Sequence, residues 1–231
     1  MAVKEVVSGM YQLSNGGINA FLIDDGDAGL TLIDSGYPKD AESITDAIHS
    51  IDRDLSDLTN ILITHAHSDH LGSAKALSGG TTPISLHPAD ANIARAGGYP
   101  PTMKPGPGLL NGVMFRMVLK NKTSEFPAFE PDIDLKDRDV IEVAGGIEVI
   151  HTPGHTAGHV ALLWKRDRGL LFVGDAAANL VRLNYMIGYD DVDEGKASLA
   201  KLSGFDFEAA VFGHGKPMLS GASDKFTAKF V

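Results

Sequence analysis

Ile61-Leu62-Ile63-Thr64-His65-Ala66-His67-Ser68-Asp69-His70 is the stretch from which the rest of the chain can be read. An apolar β-type run over 60–64 stops abruptly, and His65, His67, Asp69 and His70 follow within six residues. Successive side chains of an extended chain alternate faces, so His65 and His67 can point the same way. Ser68 or Asp69 is suited to start a helix through 71–77 that stops at Gly79-Gly80, bringing Asp69 and His70 in from its first turn. A strand end and a helix start thus deliver four donors to one place. Imidazole with carboxylate suits zinc, iron or another borderline first-row ion. A single histidine in a polar loop means little; three with an aspartate at a strand-to-helix junction mean a metal site.

Three later stops repeat the pattern of an apolar strand followed at once by a donor: Ile150 before His155, Val173 before Asp175, and Phe212 before His214. Gly154, Gly174, Gly213 and Gly215 beside them let the backbone come close to an ion. The two sets together supply five histidines and two aspartates. That is too many for one tetrahedral ion and suits two ions sharing a carboxylate, each with room for water.

Outward from these stops, residues 3–33 alternate apolar runs with Asn15-Gly16-Gly17 and Asp24-Asp25-Gly26-Asp27, which predicts an antiparallel meander. Ile44, Ala47, Ile48 and Ile51 line one face of a helix over 39–51, with His49 beside that stripe and exposed. A short strand reaches His87, read as structural, and a helix starts near 88–90. Strands are expected over 140–143, 147–150, 160–164, 170–173 and 209–212, and a helix over 191–204. Residues 29–36, GLTLIDSG, and 169–176, GLLFVGDA, are each a glycine-led apolar strand ending at an acid, which fits two similar β-then-α halves facing each other.

The stretch 97–139 has a different character. Six of the eleven prolines fall between Pro100 and Pro131. Between them Leu109/Val113/Met117 and Leu110/Met114/Val118 repeat at helical spacing, within a segment that holds three of the seven methionines. We read it as a proline-flanked helical insertion in a single domain spanning 1–231, either a lid over a pocket or a homodimer contact.

Composition sets the outer limits. Thirty acidic against twenty basic residues give a formal charge of −10, with no basic field to collect phosphates or an anionic membrane. Zero cysteine rules out disulfides and thiolate ligands. The opening residues have no sustained apolar run and no window is long enough to span a bilayer, so the expectation is a cytoplasmic protein acting on a small molecule.

HAHSDH, TPGHTAGH, GDA and GHG, in this order over nearly the whole chain, resemble the metallo-β-lactamase-fold superfamily of metallohydrolases. The resemblance implies an α/β fold, a four-layer αβ/βα sandwich of two mixed β-sheets flanked by helices, with the site at the mouth between the sheets. It implies two Zn2+ ions, with Fe, Mn or Co as substitutes. His65, His67 and His155 would hold the first, Asp69, His70 and His214 the second, and Asp175 would bridge them. His159 matches a structural position, His151 is left out, and Asp34 would hydrogen-bond the ligand loop. Absence of Cys excludes β-lactamases with a cysteine ligand, and Asp175 sets the chain apart from those with an all-histidine second site. Only seventeen residues follow His214, short of the helical extension of glyoxalase II-type enzymes. Flavodiiron proteins, with Glu at the position of His67, and RNA-processing members with added domains also depart from it. Compact lactonase, esterase and thioesterase-like members remain, although Ala178 stands where the lactonases carry tyrosine; Tyr185 or Tyr189 could serve instead.

The function so implied is a binuclear zinc hydrolase that attacks a lactone, ester or thioester carbonyl with a hydroxide held between the ions, with Asp69 as the catalytic carboxylate. Arg182, Asn184 and Tyr185 are the candidate substrate-binding residues. The alternatives are a metal-dependent phosphodiesterase, a promiscuous β-lactamase and an iron-dependent redox enzyme or dioxygenase.

Overall fold

A computed structural model describes residues 1–99, 102–119 and 124–231 of the chain. The amino-terminal part runs β1 (Ala2–Val7), β2 (Met10–Asn15), β3 (Ile18–Asp24), β4 (Leu30–Ile33), α1 (Ala41–His49), β5 (Leu58–Leu62), α2 (Ser68–Leu71), α3 (Ala74–Ser78), β6 (Ile84–Leu86) and α4 (Pro88–Ala96). Short pieces follow: β7 (Gly98–Tyr99), β8 (Lys104–Pro105), α5 (Leu109–Val118), β9 (Ser124–Glu125) and β10 (Ile133–Asp134). The remainder is β11 (Val140–Ile141), β12 (Ile147–His151), β13 (Val160–Trp164), β14 (Leu170–Phe172), β15 (Ala177–Asn179), β16 (Leu183–Tyr185), β17 (Gly188–Tyr189), α6 (Val192–Leu202), β18 (Ala209–Val211) and α7 (Ala222–Phe230).

Two mixed sheets carry the fold, one ordered β1-β2-β3-β4-β5-β6-β10 and the other β11-β12-β13-β14-β18. The expected amino-terminal meander forms the antiparallel edge of the first. The two acid-ended strands do occupy matching places. β4 is antiparallel to β3 and parallel to β5, as β14 is antiparallel to β13 and parallel to β18.

Alternating side chains sort themselves between layers because strand residues face opposite sides. Phe21, Ile23 and Ile33 of the first sheet meet Val149, Leu162 and Phe172 of the second in one buried cluster between the sheets. The opposite faces, Ala20 and Leu22 on one sheet and Ala161 and Leu163 on the other, bury against helices. Ile44, Ala47 and Ile48 of α1 cover the first sheet, and Leu199 and Leu202 of α6 with Phe226 of α7 cover the second. This is the helix–sheet–sheet–helix sandwich, and both sheets direct strand ends toward one rim.

Some local expectations shift. The strand before the ligands is Leu58–Leu62, not 60–64, since Thr64 turns its N–H to the Asp34 carboxylate at 2.8 Å. The helix expected through 71–77 is broken into α2 and α3. The Gly72 N–H leaves the helical ladder for the Gly36 carbonyl at 3.0 Å, and a Cβ on Gly72 would lie 2.5 Å from Pro38. The strand at 140–143 is cut to Val140–Ile141. Within 97–139, β10 pairs with β6 and Leu135 enters the core between the sheets, so the excursion from the sandwich ends before Ile133. Pro100 and Pro101, part of the expected proline-rich arm, lie outside the described residues. α7 was not foreseen.

Candidate metal centre

Four strand ends meet at the rim, and each supplies a donor held from behind. Asp34, just past β4 with φ at 58°, takes the Thr64 N–H and the Thr64 hydroxyl. With its own proton given to Asp34, Thr64 Oγ1 is left to accept from His65 Nδ1 at 3.0 Å. The same carboxylate accepts from His70 Nδ1 at 2.8 Å. His155 Nδ1 donates to the Gly188 carbonyl at 2.9 Å, and His214 Nδ1 to the Gly17 carbonyl at 3.1 Å. In all four histidines the rear nitrogen is tied to an oxygen, which leaves Nε2 as the atom turned inward to bind an ion. The ligand-loop role expected of Asp34 is therefore present, with three donors on its carboxylate.

His67 is turned the other way. Its Nδ1 lies 2.9 Å from His65 Nε2 and 3.0 Å from His155 Nε2. The Asp175 carboxylate sits between this trio and the other donors, Oδ1 3.5 Å from His70 Nε2, Oδ2 3.5 Å from His155 Nε2 and 3.2 Å from His214 Nε2. Asp69 Oδ2 is 3.6 Å from His214 Nε2. All seven residues named from the sequence are brought together.

The donor set fits divalent ions. Nitrogens at about 2.0–2.1 Å from a tetrahedral ion lie about 3.3 Å apart, close to the spacing of the His65–His67–His155 trio. Among the described residues, three buried side-chain atoms have no hydrogen-bond partner, His67 Nε2, His70 Nε2 and Asp175 Oδ1, and all belong to this cluster, a costly state unless something binds there. Three groups of donors are each close enough to hold one ion: His65/His67/His155, His65/His70/Asp175 and Asp69/His70/His214. Burial, aided by the surrounding imidazoles, holds His65 and His67 well below the usual histidine range, neutral as ligands must be. Burial opposes charge on Asp175, yet His214 and His70 hold it well below the usual carboxylate range. For His70 burial pulls downward, and Asp175 with Asp34 outweigh it and lift the imidazole well above the usual range. The cluster thus suggests a divalent metal site.

Close packing sets the shape of this centre. A Cβ on Gly213 would fall 2.2 Å from Asp175 Oδ1 and 2.6 Å from His70 Cε1, so only glycine fits beside His214. His159 is not among the donors. Its Nε2 accepts the Asp175 N–H at 2.9 Å while Nδ1 meets Thr152 Oγ1 at 2.8 Å, which seats the backbone of Asp175. His87 accepts the Ala89 N–H at the start of α4 and stacks on His151, ring centroids 4.1 Å apart, both away from the donors.

Sequence reading missed the group that ties the two ligand loops together. Asp90, fully buried in α4, accepts the Ala66 N–H at 2.9 Å, the Thr156 hydroxyl at 2.8 Å and the Gly158 N–H at 2.7 Å. Its signal was only an acid in the first turn of a helix, where solvent-exposed acids are common. Tyr99 was missed as well. Its ring meets His67 edge to face at 4.4 Å, and its hydroxyl donates to Asp190.

The centre opens into a cavity of about 850 Å³ whose lining includes His67, Asp69, His155, Asp175 and His214. Arg182, Asn184 and Tyr185, the candidate substrate residues, line it too. Tyr189 does not. It is buried, donating to the Ala176 carbonyl at 2.6 Å and accepting the Met186 N–H at 2.9 Å, so it holds the cavity wall and offers no hydroxyl to a substrate.

Comparison with known proteins agrees with this geometry. The family described as Metallo-beta-lactamase superfamily matches residues 13–214. "Probable metallo-hydrolase YflN" of Bacillus subtilis is 27% identical over 208 residues, covering 81% of this chain and 75% of that protein. A hydroxyacylglutathione hydrolase of Pseudomonas aeruginosa is 32% identical over 119 residues, 51% of this chain and only 33% of that protein. Among solved structures, the subclass B3 metallo-beta-lactamase BJP-1 of Bradyrhizobium japonicum superposes with a TM-score of 0.70 at 24% identity, covering 92% of this chain and 77% of that one. A B3 enzyme with an active-site glutamic acid reaches 0.75 at 22% identity, covering 99% of this chain and 88% of that one, and both likenesses speak to fold alone. Among the described residues no helix is long and apolar enough to cross a membrane. Profile, fold and donor cluster lead to one conclusion: the chain belongs to the metallo-beta-lactamase superfamily and is a hydrolytic enzyme.

Proposed function

We propose that this chain hydrolyses a small-molecule ester, lactone or thioester at a binuclear zinc centre. The observation that carries the reading is the inward convergence of four Nε2 atoms, His67 Nδ1 and two carboxylates beside an open cavity. His65, His67 and His155 would hold one ion, Asp69, His70 and His214 the other, and Asp175 both. Bound there, the ions would supply hydroxide at neutral pH and polarise a carbonyl oxygen.

The chain's own groups handle position and protons. Burial raises the Asp69 carboxyl, but His70 and His214 prevail and hold it below the usual range, so it is ionised at neutral pH. Asp69 faces the cavity, where it orients the attacking oxygen, takes its proton and returns it to the leaving group. Arg182 and Asn184, on the wall of the same cavity, would meet the polar part of the substrate. Thr64, Asp34 and Gly188 hold the rear nitrogens of His65, His70 and His155, so that Nε2 is the atom each turns toward the ions.

The test is proton release from a panel of carboxylic esters, lactones and thioesters, with zinc content measured in parallel. The expectation is two zinc ions per chain and turnover that falls about a hundredfold or more in Asp69→Ala. Equal rates in both proteins would remove Asp69 from the chemistry. Silence from both would replace the carbonyl reading with phosphodiester substrates.

A further inference from the structure

α5 has an apolar sequence and almost no apolar packing. The only buried residue of its ten is Asn111, whose amide donates to the carbonyls of Pro107, Tyr185 and Met186 at 3.0, 3.3 and 3.3 Å. None of its side chains belongs to the four buried hydrophobic clusters of the described residues. A polar pin therefore holds the helix where an apolar seam would ordinarily do so. Its inner face, Leu110, Met114, Phe115 and Val118, instead lines the cavity that ends at Asp69 and Asp175. Met186 and Ile187 form apolar wall in the same cavity, and the Met186 backbone is fixed by the Tyr189 hydroxyl.

Apolar surface left uncovered inside a concave site is binding capacity for an apolar ligand. Met114, Met103 and Met186 are unbranched and polarisable, which suits a flexible ligand without fixed shape. We infer that the α5 inner face is a hydrocarbon-chain subsite, and that the substrate is an ester, lactone or thioester bearing an unbranched chain. The chain lies along Leu110, Met114 and Val118 while the scissile carbonyl stands at the His/Asp cluster. This inference rests on the carbonyl-hydrolase reading for its reactive end only. Met114 lines the cavity and its neighbour Val113, about 100° round the helix, does not, so the two test different faces of one helix.

The experiment measures kcat/KM on 4-nitrophenyl butanoate, hexanoate, octanoate and decanoate, and on the acetates of the matching alcohols, with the zinc-loaded full chain. In parallel, calorimetry measures binding of butanoate and octanoate to Asp69→Ala, which needs no turnover. A ladder rising about threefold per methylene in one series supports the inference and tells whether the acyl or the alcohol side carries the chain. Octanoate should bind at least about tenfold more tightly than butanoate. Met114→Glu should collapse the octanoyl preference to near one, and Val113→Glu should keep it. Turnover with flat ladders and equal binding of the two acids would overturn the subsite and leave the carbonyl reading standing. Tight octanoate binding with no turnover of any carbonyl substrate would sink the carbonyl-hydrolase reading and keep the subsite. Flat ladders with a dimer by light scattering that Val113→Glu dissolves would assign α5 to self-association and overturn the inference.

Discussion

Replacing Asp90 by Asn changes one oxygen to an amide nitrogen at a point where three donors converge. Oδ2 serves Ala66 N–H and the Thr156 hydroxyl, and Oδ1 serves Gly158 N–H. Whichever way the Asn side chain is turned, its NH2 faces a backbone N–H, that of Gly158 or that of Ala66. The Thr156 hydroxyl can rotate to accept, but a peptide N–H cannot. One buried donor is orphaned at about 1–3 kcal/mol, and the remaining bonds lose their charge assistance, giving about 2–4 kcal/mol in all. Ala66 separates His65 from His67, and Thr156 follows His155, so the lost restraint acts on the nitrogen trio. Weakening a group that orients metal ligands costs about tenfold to a hundredfold in affinity. Denaturant titration of the metal-free protein measures the first effect, and competition with a chromophoric zinc chelator the second. A midpoint and zinc affinity both equal to wild type would refute the clamp. Lost stability with unchanged affinity would confine Asp90 to packing.

Gly213→Ala should place a methyl against Asp175 and His70, cost about 1–3 kcal/mol in denaturant titration, and lower zinc stoichiometry from two toward one. Two full equivalents in that variant would mean the loop yields freely. Burial, then the stacked His151, pushes His87 down to about 4 from an ordinary 6.5. Between those values the unfolded chain binds a proton that the folded chain refuses. The contribution is therefore complete above pH 6.5 and is lost as pH falls toward 4. With the ring half exposed it amounts to about 1 kcal/mol, and His87→Gln should flatten stability against pH across that window by this amount.

Residues whose task is set by neighbours in sequence were readable in advance. A strand that stops at His65, His155, Asp175 or His214 announces a donor because side-chain type and strand end are both local properties. Asp34 was readable for the same reason. What escaped was decided across the fold. The break at Gly72 comes from the Gly36 carbonyl and the Pro38 ring, which no periodicity in 71–77 records. Asp90 has the local appearance of a helix-start acid, and only the approach of the 156–158 loop makes it a clamp. The apolar stripes of α5 were seen, but pattern alone could not tell which faced a cavity. Tyr189, as accessible by sequence as Tyr185, is claimed by the Ala176 carbonyl.

Asn19 in β3 donates its side-chain amide to the Phe212 and Gly215 carbonyls, 193 and 196 residues away, and Gly17 accepts from His214 across 197. Contacts so distant along the chain form late, since a large loop must close before they return any energy. The seventh donor is thus installed after most of both sheets have paired. During synthesis the earlier donors are made long before His214, and they wait as an incomplete set while the opening hairpin holds its receiving edge open. A chain arrested before His214 keeps the histidine trio and lacks the donor that stands beside Asp69 and Asp175. On the binuclear reading, hydrolytic competence would report on global folding and be absent from any partly assembled form.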